Sequence, residues 1–209
     1  MNARKSRPSK PTVPRRSGEE LVAAIVAAAT EVFAAGGKNA TMRAIAARAD
    51  VQPSVIYRYF PSKRALLGEV VAQGSRRDVE LISDLLGGPP PQLVAATLEN
   101  TAYRTALLHG VLAGLQLTDI PGGLPSIELT ARGLMSGKYT PARPDERFDP
   151  RLVTAFLAAA LVGWQATGSF FAAAAGLGRV DAEDVQAAVA YLLDQVYGLA
   201  EPARRMEDD

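Results

Sequence analysis

The stretch that decides the fold is residues 41–67, TMRAIAARADVQPSVIYRYFPSKRALL. It contains two short runs with apolar residues at helical spacing, and residues 50–52 break the pattern between them. Thr41 suits the N-cap of the first run, and Pro53 is acceptable in the first turn of the second, where its missing N–H is not needed. The stretch therefore predicts two short helices joined by a tight turn, with a further helix capped by Ser62. Four apolar residues are expected to hold the two short helices at their crossing angle: Ile45, Val51, Ile56 and Phe60.

Two short helices joined in this way match the helix-turn-helix arrangement, in which the second helix enters the major groove of DNA. Residues 41–67 closely resemble the DNA-binding region of the TetR family of transcriptional regulators. The family motif ends in Tyr-x-(His/Tyr)-Phe followed by Lys-x-x-Leu, and this chain has the aromatic residues and the lysine at the same spacing. With the helix that precedes them, the resemblance covers residues 17–71.

The resemblance implies a set of DNA-contacting residues around the turn. Residues on the exposed side of the second short helix would read base edges, and tyrosine hydroxyls would donate to phosphates. Lys63 adds an ammonium group to the N-terminal amides of the next helix, which suits a backbone phosphate. Thr41 would cap its helix and contact phosphate as well. The predicted DNA-binding residues are Thr41, Arg43, Pro53, Ser54, Tyr57, Arg58, Tyr59 and Lys63.

Three residues depart from the family pattern. Asp50 stands where glycine is common in the turn, and we expect it to adopt the left-handed conformation at some cost. Gln52 stands where serine or threonine usually caps the recognition helix, and Arg64 stands where an acidic residue often follows the lysine. These departures bear on the operator that is read and on local stability, while the class of protein is unchanged.

On the N-terminal side, Ser17 and Glu20 have the spacing of a capping box and predict a helix that ends at the glycines 36 and 37. Residues 1–16 form a basic, proline-interrupted arm, which is either a solubilising tail or a phosphate-binding extension. The formal charge of residues 1–80 is +7, from 14 Lys+Arg and 7 Asp+Glu, whereas residues 81–209 carry 9 and 15, giving −6. The two halves are therefore expected to have different partners.

On the C-terminal side the chain is helical by period and poor in strand signals. Glycines and prolines at 87–91 indicate a connector, and a polar loop is predicted at 138–150. Helices are predicted at 92–117 (one, or two broken near Gly110 and Gly114), 126–137, 152–175 and 181–199. The predicted fold class is all-α, with an N-terminal three-helix helix-turn-helix DNA-binding domain and a C-terminal helical ligand-binding and dimerisation domain. The predicted divisions are an arm at 1–16, the DNA-binding domain at 17–72, the effector-binding and dimerisation domain at 73–200, and a charged tail at 201–209.

Residues 152–178 include 27 consecutive uncharged residues, which is long enough to span a bilayer. Alanine is abundant there, polar residues interrupt the run, and a second span is lacking, so a buried helix is the favoured interpretation. A ladder of small residues permits close helix approach, and we expect the aromatic residues beside it to lie in the core. The ladder is Ala155, Ala159, Gly163 and Thr167, and the aromatic residues are Phe156, Trp164, Phe170 and Phe171. The resemblance implies a homodimer held by helices 152–175 and 181–199.

The resemblance also implies that the middle helices enclose an effector cavity. Residues 92–175 are rich in Ala and Leu and poor in charge, which favours an apolar small molecule; a sugar phosphate would find no cationic partner. Polar or aromatic groups on these helices are candidates for orienting the effector. They are Tyr103, His109, Gln116, Trp164, Gln165 and Phe171. We expect binding to move the helix at 62–85, as the sole connection between the cavity and the DNA-reading helices.

Other function classes lack their residues in this sequence. There is no Cys and a single His, which removes thiolate chemistry and the common zinc motifs. A nucleophile with a base and a phosphate-binding loop are also missing at usable spacing, so we predict no enzyme activity, no cofactor and no metal. With no signal-peptide pattern, the expected location is the cytoplasm, without a membrane. The predicted function is a ligand-responsive regulator, a repressor of a palindromic operator; the alternative is a helical small-molecule carrier or membrane-associated adaptor.

Overall fold

The computed structural model describes residues 17–85, 101–135 and 149–197. In these three segments the regular structure is entirely helical, as the sequence predicts. The predicted arm, connector and charged tail lie outside the described residues, as does the predicted polar loop except for its last two residues. At these two positions a helix is found instead, since Asp149 is an N-cap and Pro150 is helical. The helices are α1 (Gly18–Gly36), α2 (Met42–Ala49), α3 (Pro53–Tyr59), α4 (Lys63–Leu85), α5 (Thr101–Leu112), α6 (Pro125–Met135), α7 (Pro150–Ala174) and α8 (Ala182–Tyr197), with short 3-10 turns at Gly37–Asn39 and Leu117–Asp119.

The helix starts at the N-terminal end follow the predicted capping residues. Ser17 accepts a hydrogen bond from the amide of Glu20 at 3.2 Å and donates its own amide to the Glu20 carboxylate at 2.7 Å. Thr41 Oγ1 accepts from the Ala44 amide at 3.1 Å, which caps α2. Asp50 ends α2 with φ 54°, so the predicted left-handed conformation is confirmed. These contacts fix where each helix begins and ends, and so fix the turn between α2 and α3.

A continuous apolar core joins α1 to α4. It takes large side chains from each of them, including the fully buried Ile25, Ile45, Ile56 and Leu66. Of the four predicted crossing-angle residues, Ile45, Ile56 and Phe60 are buried and Val51 is half-buried against the core. Burying side chains of this size supplies the main stabilisation of the short helices, which are too short to persist alone.

Two helices, α4 and α5, connect the N-terminal helices to the remaining ones. Both pack against α1, and α4 also contacts α5 and α6. On α5, Nδ1 of His109 lies 3.1 Å from the carbonyl oxygen of Phe33 in the last turns of α1. The expectation that the helix at 62–85 alone makes this connection is therefore wrong, because the C-terminal half of α5 docks onto the end of α1.

The segment after α5 is held against the first turns of α4. Arg64 donates to the carbonyl oxygen of Gly114, and its Nε lies 2.9 Å from the Asp119 carboxylate. The approach is close at Gly68, where a Cβ atom would lie 2.1 Å from the carbonyl oxygen of Asp119. Arg64, one of the departures from the family pattern, thus ties the start of α4 to this loop. The break near Gly114 is confirmed, whereas Gly110 lies buried within α5.

Helix α7 packs on one side against α5 and α6. Its exposed aromatic residues contradict the expectation that they lie in the core: Phe156 is 69 %, Phe170 is 70 % and Phe171 is 58 % exposed. Burial on every side is therefore wrong for the described part of the chain, because the described helices cover only one face of α7. Trp164 is half-buried, and its indole occupies the space beside Gly168.

Helix α8 leaves the side chains of Tyr191 and Leu192 largely exposed, while Val185 is buried. Within the described ranges, no single helix has the length and apolarity needed to cross a bilayer. The two parts of α7, Arg151–Trp164 and Ala166–Ala174, satisfy that length and composition only together and meet at an angle of 84°.

Candidate functional site

The eight predicted DNA-binding residues lie on or beside α2 and α3, and none of them is fully buried. Arg43 and Ser54 are exposed in the first turns of the two helices, and Tyr57 is 50 % exposed. On the opposite side of the same helices, Ile45 and Ile56 are completely buried. Polar side chains therefore face solvent on one side of α2 and α3. The apolar core on the other side holds the turn between the two helices in place.

Arg58 and Tyr59 form a pair at the end of α3. Nη2 of Arg58 lies 3.5 Å from the Tyr59 hydroxyl, and its guanidinium carbon is 5.2 Å from the centre of the ring. Tyr59 is half-buried, with its hydroxyl near the start of α1 at Gly18. Arg58 itself is exposed. Stacking on the Tyr59 ring restricts the positions that its guanidinium group can reach, while the group stays in solvent.

Lys63 begins α4, and the predicted Ser62 cap is present, since Ser62 Oγ accepts from the Ala65 amide at 3.0 Å. The ammonium group of Lys63 lies 6.0 Å from the centre of the Phe33 ring. A cation beside the unpaired amides of a helix N-terminus creates a position that favours an anion. The role of Lys63 at a backbone phosphate stays a prediction.

An open cavity of about 430 Å³ lies beside this region, between the start of α1, the end of α3 and the middle of α4. Its lining is mainly apolar. The residues are Gly18, Glu19, Val22, Ala23, Tyr59 and Gln73. This cavity is separate from the predicted effector residues.

The predicted effector residues do not all lie together. Tyr103 is buried, whereas His109 is directed at Phe33 in α1. Gln116 is exposed and donates to the Gly114 carbonyl oxygen at 3.2 Å, and Phe171 is exposed on α7. The side chain of Gln165 is outside the described residues. Their assignment to one effector site stays a prediction.

Tyr103 belongs to a buried polar cluster between α4, α5 and α6. Ser75 Oγ and Ser126 Oγ are 2.8 Å apart, and the Ser126 amide donates to Ser75 Oγ at 3.1 Å. Burial, and next the negative charge of Asp78, raise the pKa of Tyr103 to about 12. The tyrosine therefore stays a neutral phenol at physiological pH.

Arg104 extends this cluster with a buried ion pair that sequence reasoning missed. Its Nη2 lies 3.0 Å from the Asp78 carboxylate, and both side chains are buried. Burial lowers the pKa of Arg104, and the charge of Asp78 opposes that effect. The middle helices therefore contain a buried cation whose charge Asp78 balances. The expectation that a sugar phosphate would find no cationic partner stays a prediction. A lone arginine after Tyr103 in an apolar helix is the signal that could have identified the buried cation.

Comparisons with known proteins bear on this arrangement. Residues 25–70 match the model of the family described as "Bacterial regulatory proteins, tetR family". An HTH-type transcriptional repressor of Mycobacterium tuberculosis is 26% identical over 172 residues, which cover 82% of this chain and 86% of the relative.

Among solved structures, the fatty acid degradation regulator FadR of Bacillus halodurans superimposes with a TM-score of 0.60 at 22% identity, covering 82% of this chain and 96% of that one. A TetR-like transcriptional regulator from Rhodococcus gives a TM-score of 0.51 at 24% identity and covers 85% and 97%. These structures share the fold of the chain.

Proposed function

The chain is a member of the TetR family of transcriptional regulators, and from this premise we propose that it represses transcription by binding a palindromic operator as a homodimer. An apolar small molecule releases the operator. The observation that carries the proposal is the helix-turn-helix, in which α2 and α3 present Arg43, Ser54 and Tyr57 to solvent over a fully buried Ile45 and Ile56. This arrangement is what the family uses to place a recognition helix in the major groove.

Within the proposed interface the residues have two kinds of role. Arg43, Pro53, Ser54 and Arg58 lie where base edges are read, while the remaining four residues contact the phosphate backbone. These four are Thr41, Tyr57, Tyr59 and Lys63. The domain divisions predicted from the sequence, at 17–72 and 73–200, belong to this proposal, as does the cytoplasmic location of a protein that reads DNA.

Dimerisation is proposed because α7 and α8 leave large apolar side chains exposed. Phe156 and Phe170 on α7, and Tyr191 and Leu192 on α8, are each more than half exposed in the single chain. An exposed apolar surface of this kind is typical of a protein interface. A twofold dimer would bring two copies of α3 to the half-sites of a palindrome.

The effector is proposed to bind among the middle helices and to move α4 and α5 together. The solved structure from Bacillus halodurans is that of a fatty acid degradation regulator, which supports the proposal of an apolar ligand. Both helices contact α1, so a shift in either changes the position of the recognition helix. Operator and effector would weaken each other's binding by the same factor.

The experiment selects a palindromic duplex from a random pool with the full chain and then compares variants on it. Lys63→Ala should weaken binding to all sequences equally and flatten the salt dependence, because one phosphate contact is lost. Arg43→Ala should instead relax base preference, by about 1–3 kcal/mol where a bidentate contact is removed. Arg132→Ala, an exposed arginine on α6, is the matched control and should change neither property. If no duplex is enriched, the proposal fails and the carrier alternative gains.

Gly163→Leu tests the dimer separately. A Cβ atom at Gly163 meets nothing within 4 Å among the described residues, so the first atom of a larger side chain finds open space there. If the ladder of small residues on α7 forms the dimer interface, Gly163→Leu should shift the sedimenting species from dimer to monomer. A wild-type chain that sediments as a monomer at micromolar concentration would exclude the dimer.

A further inference from the structure

The guanidinium group of Arg104 has an unused donor. Arg104 is 4 % exposed, and its Nη2 is paired with Asp78 at 3.0 Å. Its other terminal nitrogen, Nη1, is buried and is without a hydrogen-bond partner in the part of the chain that the structure describes. Buried polar groups are nearly always bonded, and those of a guanidinium carry the highest cost when they are not.

The surrounding side chains are already committed to one another. The Asp78 carboxylate accepts a hydrogen bond from Nη2, and the hydroxyl groups of Ser75 and Ser126 are hydrogen-bonded to each other. Tyr103 shares hydrogen bonds with both serines. None of these four side chains accepts a hydrogen bond from Nη1 among the described residues.

We propose that Nη1 of Arg104 donates to an uncharged carbonyl oxygen of the effector, so that the ligand class is an apolar ketone, ester, lactone or amide. This inference rests on the proposed function. A guanidinium has donors and no acceptor, so it selects an oxygen acceptor over an amine. The apolar body of the ligand would pack against the aliphatic residues of the same helices.

The charge balance decides between a carbonyl and a carboxylate. Arg104 and Asp78 together sum to zero, and the neighbouring Tyr103 is a neutral phenol. A second carboxylate would leave one negative charge uncompensated in a buried place, which is strongly unfavourable. A carbonyl oxygen satisfies Nη1 without adding a charge.

The location gives the contact a route to the DNA-binding helices. Arg104 is on α5, and its partner Asp78 is on α4, the helix whose first residue is Lys63. A ligand oxygen bound to Nη1 would contact the same guanidinium group that pairs α5 with α4. Binding would therefore affect the contact between these two helices.

The test uses the full chain, with ¹⁵N-labelled arginine guanidinium groups, and three soluble probes that share a six-membered ring: cyclohexanone, cyclohexanecarboxylate and cyclohexylammonium. Arg104→Lys assigns the Arg104 signals and keeps the charge beside Asp78. We expect cyclohexanone to shift the Arg104 Nη signals of the wild type and to bind about tenfold more tightly than the other two probes. Arg104→Lys should lose that preference, and the control Arg132→Lys should retain it.

Three results would overturn the inference: Arg104 signals that do not change at saturating ketone, tighter binding of the carboxylate, or no binding of any probe at millimolar concentration. The first result would mean that Nη1 does not bind the ketone oxygen. Because the affinities of the three probes are compared on wild-type protein, that comparison stands even if Arg104→Lys fails to fold. Operator binding is measured separately without probe, so its failure would overturn the proposed function and leave the Arg104 result standing.

Discussion

The helices at 18–59 bury many of their large apolar side chains, whereas α7 and α8 leave several of theirs exposed. Phe33 in α1 is 2 % exposed, whereas Phe170 in α7 is 70 % exposed. The first region packs side chains of its three helices into a core that α4 helps to close, while the second exposes several large apolar side chains. The first region is covered by its own chain, whereas the exposed apolar side chains of the second are the reason that a dimer interface is proposed there.

The first prediction tests this contrast with one substitution in each region. Phe33→Ala should lower the free energy of unfolding by about 3–5 kcal/mol, because it opens a cavity in a closed core. Phe170→Ala should change it by less than about 0.5 kcal/mol in monomeric protein, because the ring is already in water. Urea unfolding at low protein concentration measures both. An equal loss in the two variants would contradict the contrast.

The second prediction uses two glycines with opposite surroundings. Gly68→Ala places a Cβ atom 2.1 Å from the carbonyl oxygen of Asp119, and overpacking of this kind costs about 1–3 kcal/mol. Gly163→Ala meets nothing within 4 Å in the described chain, so it should gain about 0.5–1 kcal/mol from helix propensity. Thermal unfolding of the two variants beside wild type gives the signs. A stabilised Gly68→Ala would show that the loop at 113–121 yields easily.

The third prediction concerns the helix caps. Thr41→Ala removes the side-chain acceptor of the Ala44 amide and should cost about 1 kcal/mol, a typical value for an N-cap. Asp149, which accepts from the Arg151 amide at 2.9 Å, caps the exposed start of α7. Asp149→Ala should affect amide exchange in the first turn of α7 and leave the unfolding midpoint of the core unchanged. Hydrogen exchange distinguishes the local effect from the global one.

The fourth prediction is the smallest and has the opposite sign. Asp50 has φ 54°, a conformation that glycine adopts without strain. Asp50→Gly should therefore stabilise the chain by less than about 1 kcal/mol, while Asp50→Ala should destabilise it. Chemical denaturation of the two variants measures both changes in stability. A destabilised glycine variant would mean that the side chain of Asp50 contributes more stability than its left-handed backbone conformation costs.

The same contrast explains which features the sequence revealed. Ser17, Thr41 and Pro53 act within one or two turns of their own positions, so residue type and spacing were sufficient to predict the helix starts. The buried ion pair of Arg104 with Asp78 joins residues that are far apart in sequence, and no local sequence pattern indicates that they contact each other. The exposure of Phe170 was also hidden, because an apolar helix face has the same pattern whether its own chain or another surface covers it.

The contact between His109 and Phe33 sets a mechanical constraint on the regulator. A rigid body joined along one line swings freely about it, whereas a body joined along two lines retains few modes of motion. Here α1 to α3 are joined to the other helices along α4 and again where α5 meets the end of α1. Helices α1 to α3 are therefore held at two places, and we expect them to tilt relative to the other helices rather than to rotate freely.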